Sequence, residues 1–334
     1  MYTGALENYP EVVAQISASR ELLGNPPEVL EHVRNPLEVA QVLRDHGLCT
    51  PNVFLSRNDV HHDVPCDGSW LRKRIRSAGG TNIERWLGET SETSAKGDVY
   101  FQQLIAGEPC SAVFVAAKGR AVMLGATRQL IGREFATPGE FQYAGSLGPC
   151  VLSPPMQREW KKIGEVLSEA FSLQGLFGVD AVVSSDHSTA EPHLFPIEVN
   201  PRYTASVEIF ERAYDFSAVR WHVEACREET LPDPNFMSST RSSGSGYLTD
   251  ETHKFAKQIL YARRDGVVTP AFIDWTQEQN NRHSWPLVAD LPPVGSELRS
   301  GSPVVTIFAS GATGNDSLSS LSRRHAEAYS ALEK

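Results

Sequence analysis

Apolar positions recur at two different spacings along the 334 residues, and the changes of spacing mark out the elements. The first fifty residues read as helix and turn. Leu37, Ala40 and Leu43, flanked by Val39 and Val42, fall on one side of a helix that Asn35 caps, Pro36 opens and Gly47 ends. Residues 56–69 form a polar loop. From Ser69 to about Gly132 the spacing shortens to that of strands, with runs at Val99–Ile105, Ser111–Ala117 and Ala121–Ile131. Turns at 106–109 and 118–120 would join these three runs into an antiparallel meander. Helical spacing returns at Trp160, Ile163, Leu167, Ala170 and Phe171, with Arg158, Lys161, Lys162, Glu165 and Glu169 on the other faces. Phe177–Ser184 and His193–Asn200 predict a hairpin across the polar turn 185–190. The run SSTRSSGSG at 238–246 has the composition of a flexible surface loop. Beyond it, strands are expected at Gly266–Ile273 and Pro303–Ala309. A helix from about Ser317, carrying Leu318 and Leu321, reads as a packing or homodimer helix. There is no internal repeat.

Composition narrows the function classes. The formal charge of −10 argues against general nucleic-acid binding, which needs a basic face. The longest wholly apolar run is Ala112–Ala117, too short for a membrane span, and the N-terminus MYTGALENYPE lacks the basic and apolar stretches of a signal peptide. Five cysteines (Cys49, Cys66, Cys110, Cys150, Cys226) are widely spaced without CxxC, so buried thiols are expected rather than a disulfide framework or a zinc site. The expectation is a soluble cytoplasmic protein that takes small molecules and binds neither nucleic acid nor membrane.

The strongest chemical constellation lies on the 177–200 hairpin. Glu198 and Asn200, two apart on a strand, share a face, and Asp180 on the preceding strand can be brought opposite them. Two carboxylates and an amide oxygen make the hard oxygen cluster that magnesium prefers. Arg202, in Glu-Val-Asn-Pro-Arg, adds a fixed positive charge beside it. Taken singly, Asp180 is also a strand-edge acid and Asn200-Pro201 a turn; taken together they are harder to dismiss. A second constellation is WLRKRIRSAGG at 70–80, where Lys73 on a short strand precedes a small glycine turn, Gly79-Gly80, whose N–H groups can hold phosphate oxygens. Neither GxxxxGK[ST] nor GxGxxG is present. Arg72 and Arg74 read as a solvated face. His61-His62-Asp63 could hold a metal, though adjacent histidines on a polar loop do not easily point the same way. Phe141 and Tyr143 could wall a pocket or pack in a core.

Taken in order along the chain, residues 35–212 resemble the ATP-grasp superfamily of ATP-dependent carboxylate ligases. In that family a strand lysine followed by a glycine loop contacts the nucleotide phosphates, which matches Lys73 with Gly79 and Gly80. The resemblance further implies an adenine hinge in QQLIAGE at 102–108, with the backbones of Gln103 and Ile105 serving adenine and Glu108 the ribose. It implies magnesium, or manganese in its place, held by Asp180, Glu198 and Asn200, since GVD at 178–180 and IEVNPR at 197–202 match the family's metal-binding hairpin. Two departures stand out: Gln102 occupies a hinge position that is often acidic, and the family's N-terminal α/β lobe is largely missing before Asn35-Pro36, either because it is reduced or because the chain begins inside a longer natural product. TRQLIG at 127–132, FQYAGSLGP at 141–149 and ADLPPVGSELRSGSPVVTIFA at 289–309 look like small ATP-grasp proteins associated with methanofuran and tetrahydromethanopterin biosynthesis.

The implied fold class is α+β: an ATP-grasp fold of two α+β subdomains clasping ATP, with a reduced N-terminal lobe and a C-terminal extension. The expected divisions are a helical remnant and linker at 1–65, a lid subdomain at 66–107, a catalytic subdomain at 108–237, and a linker with an α/β extension at 238–334. The implied activity is phosphorylation of a small-molecule carboxylate by ATP and capture of the acyl phosphate by an amine. Arg202 and Arg128 would stabilise the transferring group. The alternatives are a biotin-carboxylase-like activation of bicarbonate and a non-catalytic nucleotide-binding module.

Overall fold

A computed structural model describes residues 1–55, 64–88, 99–184, 192–236, 253–281 and 283–333. The polar loop with His61-His62-Asp63 and the serine-rich run at 238–246 lie outside the described residues. In chain order the elements are α1 (Pro10–Ser17), α2 (Pro27–Val33), α3 (Pro36–Asp45), β1 (Val53–Leu55), β2 (Trp70–Arg74), β3 (Ile83–Arg85), β4 (Val99–Gln103), β5 (Gly107–Ala117), β6 (Arg120–Ile131), β7 (Tyr143–Gly148), α4 (Pro154–Phe171), β8 (Gly175–Ser184), β9 (Leu194–Asn200), α5 (Val207–Tyr214), α6 (Ala218–Arg227), β10 (Lys254–Tyr261), β11 (Gly266–Val267), α7 (Pro270–Asn280), β12 (Val288–Ala289), β13 (Glu297–Leu298), β14 (Pro303–Gly311) and α8 (Gly314–Leu332). The chain divides into two compact units, the first comprising 1–126, 151–207 and 217–236, the second 127–150, 208–216 and 237–334.

The first unit holds two antiparallel sheets. The smaller has the order β1-β4-β2-β3, and Trp70, Trp86, Phe101 and Val64 pack together on it. The larger runs β9-β8-β5, with the first half of β6 beside β5. Phe114 on β5 stacks on Phe177 of β8, ring centroids 5.0 Å apart, and Trp160 of α4 lies 6.4 Å from Phe114. α4 buries the expected face, including Trp160, Ile163 and Leu167, and Ser153 caps it by accepting from the Met156 N–H. α3 begins as expected, with Asn35 accepting from the Leu37 N–H.

The second unit orders β12-β14-β10-β7 against the second half of β6, and α8 and α7 cover the sheet through Leu321, Tyr329 and Phe272. A Thr313/Asp316 capping box starts α8 three residues before the expected Ser317.

Two expectations fail for physical reasons. The three-strand meander does not form: β4 pairs with β1 and β2 in the small sheet, while β5 pairs with β8 in the other. The turn read at 106–109 is therefore the start of β5, with Gly107 opposite Ser184. The strand expected at Gly266–Ile273 stops at Val267, because Thr269 caps a helix that Pro270 opens, accepting from the Phe272 N–H at 3.2 Å. A cap with proline at the first helical position outweighs the β-propensity of the valines and isoleucine.

Candidate active site

The β8–β9 ladder sets the register of the acidic cluster. Asp180 pairs directly with Glu198, and Gly178 with Asn200, so all three polar side chains share one face. A bulge between Asp180 and Ala181 re-aims the strand just there. Gly178 leaves room for its neighbour: a β-carbon there would lie 2.6 Å from the Thr204 methyl. Asn200 donates from Nδ2 to Asp180 Oδ2 at 3.0 Å. Arg202 reaches back from Nη2 to Asn200 Oδ1 at 3.4 Å.

Charge in this cluster is unevenly distributed. Burial and the neighbouring Glu198 charge push the Asp180 carboxyl up to about 7, against the pull of Arg202 and Lys73. Burial acts on Glu198 in the same direction, but Arg34, Lys73 and Arg202 together hold it below the usual carboxylate range. Asp180 is thus the carboxyl whose charge the neighbouring cations offset less, which suits a further cation. Among the described residues, no three His, Cys, Asp or Glu side chains converge as a protein-only cage. Two carboxylates and an amide instead fit magnesium, which keeps waters and takes phosphate oxygens.

Lys73 lies opposite Tyr100 and Ile83 in the small sheet and is 4% exposed. Its Nζ donates to Gln102 Oε1 at 2.9 Å and sits 5.7 Å from the centre of the Tyr100 ring. Gln102 is itself buried and donates from Nε2 to the Ile197 carbonyl of β9. At the hinge position, the Gln102 amide thereby ties the small sheet to β9. A cleft of about 600 Å³, open to solvent, is lined by Lys73, Gly80, Tyr100, Gln102, Glu198 and Arg34 among others.

The structure brings Lys73, Gly80 and Glu198 to one cleft, with Asp180, Asn200 and Arg202 joined to Glu198 through the hairpin. Gly79 and Gly80 both adopt left-handed conformations, φ +65° and +73°, as the glycine turn requires. Ile105 is half-buried on the short link between β4 and β5. The backbone N–H of Gln103 already donates to the Asn52 carbonyl at 2.9 Å, so that group is engaged within the small sheet. Glu108 is an exposed residue of β5 opposite Val183, not a residue of the turn read from sequence. Arg128 is exposed on β6 within the second unit, opposite Leu147.

Three residues have no sequence signal. Arg34 donates from Nη1 to Glu198 Oε1 at 2.6 Å, Glu7 accepts from Arg202 Nε at 2.7 Å, and Asn8 accepts from Arg34 Nη2 at 3.0 Å. Each lies more than 20 residues from its partner in a segment without periodic pattern, so nothing local marks it. Cys66 is exposed, contrary to expectation, while burial raises the thiols of Cys49, Cys150 and Cys226, the last to about 11. The three raised thiols stay protonated near neutrality and are poor nucleophiles.

Two antiparallel sheets joined by a short link, one carrying a buried lysine before a glycine turn and the other an acid-amide hairpin, define an α+β two-sheet clasp. Residues 33–206, just over half of the chain, match the ATP-grasp domain family, and the chain belongs to it. Most members of this superfamily are ATP-dependent ligases. No curated protein matches the chain in sequence. Among solved structures it is similar to pyruvate carboxylase from Rhizobium etli (15% identity, TM-score 0.68, 96% of this chain and 28% of that one). It is also similar to an L-amino acid ligase from Bacillus licheniformis (14%, 0.66, 96% and 76%) and to N5-carboxyaminoimidazole synthase from Aspergillus clavatus (12%, 0.67, 96% and 79%). The chain thus spans about a quarter of the carboxylase, and at these identities the likeness is one of fold. Among the described residues no helix is long and apolar enough to cross a membrane.

Proposed function

We propose that the chain is an ADP-forming carboxylate–amine ligase acting on small molecules. The observation that carries this reading is the pairing of Asp180 with Glu198 across the hairpin, with Asn200 on the same face and Lys73 buried in the small sheet. Lys73 has a neutral hydrogen-bond partner, Gln102, and lies in the field of Asp180 and Glu198, so a triphosphate with its cation would meet charges of both signs there. The N–H groups of the Gly79-Gly80 turn would hold phosphate oxygens, and the backbones of Gln103 and Ile105 with Glu108 would serve adenine and ribose. Asp180, Glu198 and Asn200 would hold magnesium, or manganese, which when bound neutralises phosphate charge.

An oxygen of the substrate carboxylate attacks the γ-phosphorus, and the bond to the β-phosphate oxygen breaks, leaving an acyl phosphate and ADP. The amine nitrogen then attacks the acyl carbon, phosphate leaves with the former acyl oxygen, and the amine gives up a proton. Arg202 stabilises the transferring phosphoryl group. Catalysis of this kind is positioning and charge stabilisation and needs no protein nucleophile. The segments that look like proteins of methanofuran and tetrahydromethanopterin biosynthesis point to a C1-cofactor precursor as the first substrate to try.

The fold likeness to carboxylases favours one second reading, in which bicarbonate is the activated acid. Release of ADP and phosphate from Mg-ATP, across glutamate, other amino acids, aromatic acids, pterin carboxylates and bicarbonate, with and without amines, separates the two. Release that needs both an acid and an amine is expected, and Glu198→Ala should lower it by about a hundredfold or more. Release that needs bicarbonate would favour the second reading. Near wild-type turnover by Glu198→Ala would refute the metal assignment.

A further inference from the structure

Arg34 stands between α2 and α3, outside both sheets, yet its guanidinium sits at the metal side of the cleft. Its side chain is only 10% exposed. Nη1 donates to Glu198 Oε1 at 2.6 Å and to the Val199 carbonyl at 3.0 Å. Nη2 donates to Asn8 Oδ1 at 3.0 Å and to the Ser77 carbonyl at 3.3 Å. Asn8 closes the circuit by donating from Nδ2 to that same Ser77 carbonyl at 3.0 Å. One planar fork thereby joins the strand of the acidic cluster to the segment that leads into the glycine turn, since Ser77 directly precedes Ala78-Gly79-Gly80.

The bond to Glu198 uses one carboxylate oxygen. Oε2 makes no hydrogen bond with a described residue, and the side chain keeps 29% of its surface. Arg34 therefore fixes the rotamer of Glu198 and leaves an oxygen for a ligand. It also supplies one of the charges that keep Glu198 ionised. A lysine would carry the same charge on one nitrogen and could not bond both Glu198 and Ser77 in this geometry.

Resting on the proposed metal role of Glu198, we infer that Arg34 is a positioning residue: it holds Glu198 for the divalent cation and ties that carboxylate to the phosphate-side turn through Ser77 and Asn8. Such support of a liganding group by a neighbouring hydrogen bond commonly changes metal affinity by ten- to a hundredfold.

The test is a double-mutant cycle on the full chain, with Mn²⁺ affinity read by electron paramagnetic resonance in the presence of a non-hydrolysable ATP analogue. Melting curves and near-ultraviolet circular dichroism check folding. Arg34→Met is expected to weaken Mn²⁺ binding by about tenfold or more. Arg34→Lys should restore little of it, and Arg34→Met combined with Glu198→Gln should bind no more weakly than Glu198→Gln alone. Should Arg34→Met fail to fold, Asn8→Ala removes one acceptor of the fork and is expected to weaken Mn²⁺ by a few-fold. Unchanged or tighter Mn²⁺ binding would overturn the inference, making Arg34 a bystander or a competitor for the carboxylate. Full recovery in Arg34→Lys, or additive losses in the double variant, would overturn it too. If Glu198→Gln itself leaves Mn²⁺ binding intact, the metal assignment fails; if only the Arg34 variants do so, the positioning role alone fails.

Discussion

Lys73 is 4% exposed and has an amide as its hydrogen-bond partner, with the Asp180 and Glu198 carboxylates close enough to feel its charge. Lys73→Met keeps the length and apolar stem while removing the charge. It is expected to weaken Mg-ATP binding by at least about tenfold and, because the charge it removes also faces Glu198, to leave the stability of the ligand-free protein within about 1 kcal/mol of wild type. Urea denaturation and nucleotide titration check the two halves, and a variant both less stable and unchanged in affinity would remove Lys73 from the site. His222 shows the opposite economy. It is buried, its Nδ1 accepts the Leu176 N–H at 2.9 Å, and Nε2 therefore carries the proton that faces the Leu23 carbonyl at 3.1 Å. Burial lowers its pKa below the ordinary histidine value. The unfolded chain then takes up a proton first as pH falls, so the stability tied to neutral His222 is present above about pH 6.5 and lost below it. The stability gap between wild type and His222→Gln should be about 1–2 kcal/mol at pH 7.5 and shrink towards pH 5. A gap independent of pH would show that His222 does not titrate in that window.

At the scale of elements, the helix α4 and the hairpin β8–β9 were legible in the sequence because their causes are local. Trp160, Ile163 and Leu167 repeat within one helix, and Asp180 and Glu198 lie opposite each other on strands that follow one another in sequence. What the sequence hid was long-range partnership. Val99–Gln103 has the composition of a strand, but nothing within it says that β1 and β2, rather than the next strand in sequence, will be its neighbours. Arg34 and Glu198 are 164 positions apart, and neither segment has a pattern that announces the other. Packing between elements also reverses one ordinary rule. Alanine is a better helix former than glycine by about 1 kcal/mol, yet a β-carbon at Gly164 in α4 would lie 2.4 Å from the Phe114 ring. That ring is 1% exposed and stacked on Phe177, so it has little room to yield. Gly164→Ala is expected to destabilise by roughly 1–3 kcal/mol, read as a lower denaturant midpoint at constant slope. A stabilised variant would mean that β5 and α4 are not packed as closely as described.

For the whole molecule, an acidic chain of net charge −10 that takes a triphosphate, as proposed, would do so against its own mean field, and the attraction would have to be local. Lys73, Arg34 and Arg202 are the cations the first unit gathers around the acidic hairpin. The proposed site then predicts a metal requirement at the level of overall stability. A ligand that binds only the folded state stabilises it by about 2.7 kcal/mol at a hundred times its dissociation constant. Mg-ATP should therefore raise the melting midpoint by several degrees, whereas ATP with chelator and AMP with magnesium should each do much less. In the proposed site, ATP without the metal would bring its phosphates towards the Asp180–Glu198 pair with no cation added between them, and AMP would lack the phosphates that Lys73 and the metal would share. Equal shifts from AMP and ATP would place recognition in the base and sugar alone and take the phosphates away from Lys73 and the hairpin. Lys73→Met and Glu198→Gln should each lose most of the Mg-ATP shift, and losing it in one alone would say which side of the cleft carries the triphosphate.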